Sequence, residues 1–324
     1  MPKAIRYDQP GGPEVMKWVD VDVGDPRPGE VRIRQHAVGL NYIDVYFRTG
    51  LYPQPLPGGL GMEAAGEVTA VGDGVAGFKP GDRVAYVTQP PGAYAQERVL
   101  SADKLVKLPD AIGYDDAASV MLQGLTAQYL LRRTYPVKAG DTILIHAAAG
   151  GVGLLVCQWA KALGATVIGT VGSDEKAELA AAHGCDHPIV YTRENFAERV
   201  KAITNGAGVP VVYDSIGHDT YVGSLDCVAP LGLFVSFGNA SGPLPLIDSK
   251  EFSSRGSLFF TRPTLFSYIA KRDDLERSAA ELFDVIASGR VKTSIRQRYA
   301  LERAADAHRD LEARRTTGST VLLP

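Results

Sequence analysis

The chain has 324 residues, of which 45% are hydrophobic and 22% are charged, and its formal net charge at pH 7 is -3. This length and composition suit a globular protein of about two domains, and the charge gives no general attraction to nucleic acid or anionic membranes. No apolar stretch reaches the roughly 18 residues of a membrane span, and the N-terminal sequence MPKAIRYDQPGG lacks the apolar core of a secretory signal. We therefore expect a cytoplasmic protein that binds neither membranes nor nucleic acid.

The cysteines support the same compartment. Cys157, Cys185 and Cys227 lie far apart, form no CxxC pair and have apolar or helical surroundings. Such cysteines are typical of buried free thiols in a reducing compartment rather than of a disulfide framework.

The first part of the chain, residues 1 to 124, is predicted to form a strand-rich domain. Short β-type runs such as EVRIRQHAVGL and GEVTAVG alternate with turn sequences, among them PGE at 28–30, PGGLG at 57–61 and PGDRV at 80–84. Alternating hydrophobicity bounded by Gly and Pro is the usual pattern of antiparallel strands.

From about residue 125 to 263 the pattern changes to strands that alternate with helices. TVIGTV is followed by a helix from about Ser173, and PIVY and VPVVYDS are each followed by a helical stretch. This alternation predicts βαβ units and a parallel sheet with right-handed crossovers. The last sixty residues, with the helical DDLERSAAELFDVIASG and the strand STVLLP, resemble the first part instead. We therefore predict a strand-rich domain of residues 1–124 plus 264–324, split by an inserted Rossmann domain of residues 125–263.

The inserted domain opens with a glycine-rich turn, ILIHAAAGGVG at 143–153, between a β-branched strand and an amphipathic helix. It reads as the dinucleotide fingerprint Ala148-x-Gly150-x-x-Gly153, with alanine in place of the first glycine. Gly150 would let the backbone approach a pyrophosphate, and Gly153 would let the helix pack closely on the strand. The N–H groups at the start of the helix would bind the phosphate charge.

The end of the second Rossmann strand predicts which nicotinamide cofactor is bound. NAD-binding proteins place an Asp or Glu there for the ribose 2′-hydroxyl, but here the position holds Val171 or Gly172, followed by Ser173 and Lys176. A small residue, a hydroxyl and an ammonium group favour the 2′-phosphate of NADPH. A register shifted by two residues would instead make Asp174 the acid that binds NAD.

With these residues in hand, the sequence resembles the quinone oxidoreductases of the zinc-free medium-chain dehydrogenase/reductase superfamily. The resemblance extends over essentially the whole chain, and its motifs occur in order: GLNYIDVYFRTGLYP (39–53), GLGMEAAGEV (59–68), FKPGDRVAY (78–86), GAYAQ (92–96), HAAAGGVG (146–153), VVYDSIG (211–217), VSFGNASG (235–242), TRP (261–263) and TTGSTVLLP (316–324). It implies a GroES-like catalytic domain split by a Rossmann domain, NADPH as cofactor, a quinone as substrate and a homodimer built around the Rossmann domains.

The resemblance also implies which residues bind the cofactor. Around the adenosine phosphate it places Ser173, Lys176, Tyr191 and Arg314, although Arg315 is adjacent and could be confused with Arg314. Along the rest of the cofactor groove it places Asn41, Thr126, Gly151, Val152, Ser215, Phe237, Gly238, Asn239 and Arg262. The chain departs from the family at Gln123, where close relatives often carry lysine, and this departure questions any role for a positive charge there.

The residues predict no metal site. Zinc-dependent alcohol dehydrogenases of the same superfamily have a cysteine and a histidine where this chain has Asn41 and Met62, and neither amide nor thioether holds Zn²⁺ well. The lobe for a structural zinc is missing between Val84 and Gly92. Without a Lewis acid, a quinone is a suitable acceptor because the charge of its reduced anion is delocalised.

We therefore expect catalysis mainly by proximity of quinone and nicotinamide. Our hypothesis is that Asn41, Tyr46 and Tyr52 line the substrate pocket, with the tyrosines orienting or protonating the quinone oxygens. Two alternatives stay open. One is an NADPH-dependent reductase of alkenals and enones. The other is an NADPH-binding structural or RNA-binding protein like the crystallins of this family, for which the sequence has no basic stripe or RNA-recognition motif.

Overall fold

The computed structural model describes all 324 residues, and its backbone contacts divide the chain into two units. Unit 1 comprises Met1–Leu125, Ile269–Ala287 and Thr293–Pro324, and unit 2 comprises Thr126–Tyr268 and Ser288–Lys292. Residues 264–268 and the short segment Ser288–Lys292 group with unit 2, whereas the sequence assigned them to the strand-rich domain.

Sixteen strands occur along the chain. They are β1 Lys3–Tyr7, β2 Lys17–Asp20, β3 Glu30–Leu40, β4 Gly58–Gly59, β5 Glu63–Val71, β6 Arg83–Val87, β7 Glu97–Ser101, β8 Leu105–Lys107, β9 Thr142–Ile145, β10 Thr166–Val171, β11 His187–Val190, β12 Val209–Asp214, β13 Val228–Ser236, β14 Phe259–Thr261, β15 Ile295–Ala300 and β16 Ser319–Leu323.

Eleven α-helices accompany them. They are α1 Tyr42–Thr49, α2 Tyr114–Ala118, α3 Met121–Tyr129, α4 Gly151–Ala162, α5 Asp174–Ala182, α6 Phe196–Ile203, α7 Tyr221–Cys227, α8 Lys250–Ser254, α9 Leu265–Tyr268, α10 Arg272–Ala287 and α11 Ala304–Glu312. A π-helical turn, Leu130–Thr134, continues α3. No helix is both long enough and apolar enough to span a lipid bilayer.

Unit 2 is built on a six-stranded sheet in the order β11-β10-β9-β12-β13-β14, and every pair in it is parallel. Counted from β9, this order is 3-2-1-4-5-6, the Rossmann arrangement that the sequence predicted. The central strands are apolar on both faces because helices cover the sheet, and Leu144, Ile168, Val212 and Phe234 are fully buried. The strand order reverses between β9 and β12, so loops after these two strands diverge and leave a crevice for a ligand.

Unit 1 contains two sheets. A three-stranded sheet has the order β2-β1-β4, and a seven-stranded sheet has the order β15-β16-β3-β5-β6-β8 with β7 also paired to β3. The long strand β3 pairs antiparallel with β5, and in this register Val38 lies opposite Ala64. The carboxyl end of β3 leads directly into α1, while the start of β5 places Glu63 beside that junction. All three cysteines, which belong to unit 2, are buried free thiols as predicted.

Candidate active site

The glycine-rich turn after β9 has the geometry of a phosphate cradle. Gly150 caps α4 without any side-chain hydrogen bond, so the N–H groups of the first helical turn are left for a ligand. A Cβ on Gly153 would overlap the carbonyl oxygen of Ala147. The close packing of the helix on this turn is therefore enough to require glycine at position 153. A Cβ on Gly150 would come no closer than 3.2 Å to that oxygen. The fold therefore demands glycine at 153 far more strictly than at 150.

Ala147 takes the strained conformation of this turn. Its φ of 53° lies in the left-handed region, which costs a non-glycine residue free energy of order 1 kcal/mol. Its carbonyl accepts the Gly150 N–H at 2.9 Å. The fingerprint alanine next to it, Ala148, fits because Gly169 on β10 has no side chain to meet its Cβ. Ala147 could not be identified from the sequence, because its residue type does not reveal a positive φ.

At the carboxyl end of β10, Ser173 begins α5 and its hydroxyl oxygen accepts the Lys176 N–H at 3.3 Å. Tyr191, which follows β11, lies close to them. Its hydroxyl packs against the backbone of Gly172, where an added Cβ would come within 3.0 Å of it. The structure thus brings Ser173, Lys176 and Tyr191 to one end of the unit 2 sheet. Asp174, the alternative NAD-binding acid, is instead paired with Arg193 through both carboxylate oxygens, one of them at 2.7 Å.

On the other side of the crevice, the loops after β12 and β13 are joined. The N–H of Phe237 donates to the backbone carbonyl of Asp214 at 2.8 Å, and that of Ala240 donates to the carbonyl of Ser215 at 3.2 Å. Gly238 permits this contact, since a Cβ there would overlap the Ser215 backbone. The loops therefore hold together the predicted residues Ser215, Phe237, Gly238 and Asn239. Arg262 joins them by donating to the carbonyl of Ser236 at 3.1 Å.

A buried polar network that the sequence analysis missed supports the Ser215 loop. The Asp214 carboxylate accepts the N–H groups of Ile216 and Gly217 at 2.8 and 3.0 Å and the Ser224 hydroxyl at 2.8 Å. His146 lies 2.9 Å from Ser224 through Nε2, and burial lowers the pKa of its imidazole. A neutral His146 can bridge these groups without introducing a buried charge. No local motif marks such a network, because its members come from the ends of β9 and β12 and from α7.

Two predicted cofactor residues lie at other points of the chain. Thr126 is buried in α3, where its hydroxyl interacts with Tyr129. Arg314, in unit 1, is exposed and has a left-handed φ of 59°. The adjacent Arg315 is hydrogen bonded to Asp310, so the two arginines differ in their surroundings.

In unit 1, Asn41 is the residue between β3 and α1 and lies in a buried polar cluster. Its backbone N–H donates to Asp44 at 2.9 Å, which caps the helix. Its side-chain Nδ2 donates to Glu63 Oε1 at 2.6 Å, and its Oδ1 accepts from Gln123 Nε2 at 3.1 Å. Burial raises the pKa of Asp44 to about 7 and that of Glu63 to about 8. Both carboxyls can therefore carry a proton near neutrality.

A second series of buried hydrogen bonds holds α1 on the opposite side of Asp44. The Tyr94 hydroxyl donates to Asp44 Oδ2 at 3.1 Å and lies 3.1 Å from His308 Nε2. Arg48, which is only 1% exposed, contacts His308 Nδ1 at 3.0 Å and pairs with Glu312 at 2.7 and 2.9 Å. Burial, together with the Arg48 charge, lowers the pKa of His308 to about 3, so the imidazole stays neutral.

Tyr46, on α1, and Tyr52, in the loop after it, are neighbouring aromatic residues. Their ring centroids are 5.2 Å apart and the rings are inclined at 63°, with Tyr42 packed against Tyr46 and Phe47 against Tyr52. The backbone N–H of Tyr52 donates to the carbonyl of Tyr46 at 3.0 Å, which fixes the loop after the helix. The predicted pocket tyrosines are thus adjacent, with Tyr46 on the helix that Asn41 begins and Tyr52 in the loop that follows it. The flat faces of these aromatic rings are suited to contact with a conjugated ring.

Asn41 and Met62, which the family resemblance places where zinc-dependent relatives have ligands, are poor ligands themselves. Met62 is fully buried and Asn41 is occupied by Glu63 and Gln123. No group of three or more His, Cys, Asp and Glu side chains is placed to hold a metal ion.

Comparison with known proteins confirms the resemblance seen in the motifs. Residues 27–110 match the family model of the alcohol dehydrogenase GroES-like domain, and residues 151–284 match that of the zinc-binding dehydrogenases. A quinone oxidoreductase of Pseudomonas aeruginosa is 58% identical over 325 residues, with 100% of both proteins covered. A 2-haloacrylate reductase of a Burkholderia species is 48% identical over 332 residues, covering 100% of this chain and 99% of that protein.

A solved structure agrees with the whole fold. The crystal structure of the Escherichia coli quinone oxidoreductase complexed with NADPH has a TM-score of 0.98 and 48% identity, covering 99% of this chain and 100% of that one. The predicted combination of a GroES-like part and a Rossmann part is therefore confirmed. The chain belongs to the quinone oxidoreductase family of the medium-chain dehydrogenase/reductase superfamily and is an oxidoreductase.

Proposed function

We propose that this protein transfers reducing equivalents from NADPH to quinones without a metal ion. The observation that carries the cofactor assignment is the end of β10, where Ser173 and Lys176 are present and Asp174, the acid of the alternative NAD register, is bound by Arg193. A ribose 2′-phosphate needs hydroxyl and ammonium donors, while a 2′-hydroxyl needs a carboxylate acceptor. The NADPH in the E. coli relative's structure supports the same choice.

The residues of unit 2 fit NADPH in two places. The N–H groups of Gly151 and Val152, in the uncapped first turn of α4, would bind the pyrophosphate charge, and Gly150 would let it approach. Lys176, Ser173 and Tyr191 would hold the adenosine phosphate, and Arg314 is the further residue that the family resemblance implies for it. The residues proposed for the remainder of the cofactor are Asn41, Thr126, Ser215, Phe237, Gly238, Asn239 and Arg262.

NADPH supplies a hydride when bound, and the remaining task of the protein is to orient the acceptor and manage its proton. Asn41 has one amide N–H beyond the one donated to Glu63 and can donate it to a quinone oxygen. Tyr46 and Tyr52 offer flat faces for the ring and hydroxyl groups for its oxygens. The negative charge that develops on a quinone is delocalised, so these neutral donors suffice. Because Asn41 and Met62 replace the zinc ligands, the proposal includes no metal.

A second candidate is the reduction of an activated carbon–carbon double bond, as the name of the 2-haloacrylate reductase relative indicates. Such a substrate must gain a proton on carbon, which makes a positioned donor more important than it is for a quinone. Tyr46→Phe and Tyr52→Phe variants separate the two reactions. A loss of turnover with an enone or 2-haloacrylate, alongside unchanged quinone turnover, would assign the tyrosines to double-bond reduction. If both variants turned over every acceptor as fast as the wild type does, the tyrosine hydroxyls would have no role in the reaction.

We also propose a cytoplasmic homodimer that forms through unit 2. Strand β14 is the edge of the parallel sheet, and Phe259 and Phe260 on it are 61% and 39% exposed. An exposed apolar edge strand invites pairing with another chain. A second copy supplies an identical strand and so buries both edges at once.

The experiment that tests the reaction offers purified protein NADPH with a para-quinone, an ortho-quinone, an enone and 2-haloacrylate in parallel. Loss of reduced nicotinamide absorbance gives the rate, and chromatography identifies the product. The proposal expects the highest kcat/KM for a quinone, with hydroquinone as product. A preference for the enone or for 2-haloacrylate would replace it with the second candidate.

A further inference from the structure

Four buried side chains of unit 1 form a continuous hydrogen-bond chain through Asn41. The Ser319 hydroxyl donates to Gln123 Oε1 at 2.8 Å, and Gln123 Nε2 donates to Asn41 Oδ1 at 3.1 Å. Asn41 Nδ2 then donates to Glu63 Oε1 at 2.6 Å. The other carboxyl oxygen of Glu63 accepts the backbone N–H of Leu122 at 2.5 Å. None of the four side chains belongs to a residue more than 7% exposed, so water does not compete for these bonds.

The direction of this chain depends on its last member. An ionised carboxylate can only accept hydrogen bonds, and with Glu63 ionised every donor must point toward it, as observed. A protonated Glu63 has one O–H to donate, and the natural acceptor is the Asn41 amide oxygen. Half a turn of the Asn41 and Gln123 amides exchanges their oxygen and nitrogen atoms and reverses every bond.

The reversed chain has a partner for each group. Asn41 Nδ2 would donate to Gln123 Oε1, and Gln123 Nε2 would donate to the Ser319 oxygen. The Ser319 hydroxyl hydrogen would then turn to the carbonyl oxygen of Ser119, which already lies 3.3 Å from Ser319 Oγ. The Leu122 N–H would keep its bond to the carbonyl oxygen of the neutral acid. Both directions therefore avoid a buried unsatisfied donor or acceptor.

The surroundings of Glu63 allow both protonation states. Its carboxyl occupies space that exists because Gly39 on β3 has no side chain, and a Cβ there would overlap the carboxyl group. The titratable groups that act on it are Asp44 on α1, Tyr86 on β6 and Tyr94 before β7, and none of them is a cation. Burial is the largest effect and raises the pKa of Glu63 to about 8.

We propose that the hydrogen-bond chain from Ser319 to Glu63 is a proton-controlled switch. Protonation of Glu63 reverses the hydrogen bonds and turns the Asn41 amide, which exchanges the donor and the acceptor that Asn41 presents to the substrate. Glu63 and Gln123 are then positioning residues that act through Asn41. The inference rests on the proposed function, in which Asn41 contacts the quinone and the cofactor. A quinone oxygen needs a donor, so its reduction responds to the direction of the chain.

Two substitutions fix the chain in opposite directions. Glu63→Gln keeps the shape, and its amide can accept from Leu122 and donate to Asn41 Oδ1, which imposes the reversed direction at every pH. Gln123→Lys supplies a group that only donates, which imposes the observed direction and keeps Glu63 ionised. Glu67→Gln is the matched control, because Glu67 lies on the same strand β5, is partly exposed and pairs with Arg34 at 3.5 Å.

The test measures kcat/KM for a quinone from about pH 6 to 10 in the wild type and the three variants. The wild type and Glu67→Gln should show a step of roughly three- to tenfold near pH 8, the effect of gaining or losing one neutral hydrogen bond. Glu63→Gln should be flat at the low-pH level of the wild type, and Gln123→Lys should be flat at the high-pH level. A step retained by Glu63→Gln, or both variants at the same level, would overturn the switch.

An infrared titration separates this proposal from the proposed function. The wild type should lose the band of a protonated carboxyl near pH 8, and Glu63→Gln should lack that change, whatever the substrate proves to be. The side-chain amide ¹⁵N resonances of Asn41 and Gln123 should shift over the same range. Absence of the carboxyl change or of the amide shifts overturns the switch, while absence of quinone turnover with both present overturns only the proposed reaction.

Discussion

The carboxylate of Asp174 accepts two hydrogen bonds from the guanidinium of Arg193, so the first acid after β10 is engaged by a cation from the loop beyond β11. The sequence left two registers open here, one with Asp174 on a ribose hydroxyl and one with Ser173 and Lys176 on a phosphate. The ion pair, together with the Ser173 cap of α5, favours the second.

Replacing Lys176 by alanine tests this assignment. We expect KM for NADPH to rise about ten- to hundredfold, the effect of losing one charge-assisted hydrogen bond, with little change for NADH. Asp174→Ala is the matched control on the same helical turn and should leave the KM for NADPH unchanged. A rise in KM for NADH in the Asp174→Ala variant, with Lys176→Ala neutral, would restore the NAD register.

The two glycines of the turn after β9 should respond differently to alanine. Gly153→Ala places a Cβ against the Ala147 carbonyl, and we expect a lower melting temperature together with lost NADPH binding. Gly150→Ala meets nothing closer than 3.2 Å, so the fold should survive while NADPH affinity falls because the pyrophosphate can no longer approach. Thermal unfolding and NADPH titration measure the two effects. Full NADPH affinity in Gly150→Ala would argue against phosphate binding at this turn.

The raised pKa of Glu63 predicts how stability changes with pH. In the unfolded chain this carboxyl ionises near its ordinary pKa of 4.5, while in the fold it holds its proton up to about pH 8. The folded state therefore binds the extra proton, and stability falls as pH rises through the folded pKa. Between pH 7 and 9 we expect a loss of about 1 kcal/mol of unfolding free energy from this group.

Urea unfolding of wild type and Glu63→Gln at both pH values measures that contribution together with the effect of the Glu63 charge on the titration of Asp44, Tyr86 and Tyr94. The variant should lose about 1 kcal/mol less than the wild type over this interval. An identical pH dependence in both would contradict a folded pKa of about 8 for Glu63.

The exposed edge of unit 2 predicts the effect of a charge on assembly. Phe259→Lys on β14 should weaken the dimer, because the ammonium group must be buried or repelled where two copies pair. Val71→Lys is the control, an exposed apolar residue at the end of β5 with 37% exposure. Light scattering across a dilution series should show a dimer for the wild type and the control and a monomer for Phe259→Lys. A wild-type monomer at all concentrations would contradict the proposal.

The fold could be predicted from the sequence because its evidence is local. The β-branched run before Gly150, the glycine turn and the amphipathic helix after it are contiguous, and the strand–helix alternation continues to Thr261. The polar cluster around Asn41 could not, because Glu63, Gln123 and Ser319 are distant in sequence and meet only through the register of β3 with β5 and the position of α3. Likewise, no residue type announces the left-handed φ of Ala147.

The most direct measurement mixes the purified protein with a simple quinone and either NADPH or NADH, and follows the loss of reduced nicotinamide absorbance. The account predicts turnover with NADPH and little with NADH, because Lys176 and Ser173 recognise a phosphate that NADH lacks. Equal rates with the two cofactors would contradict the cofactor assignment. No quinone turnover with either, despite tight NADPH binding, would contradict the proposed reaction.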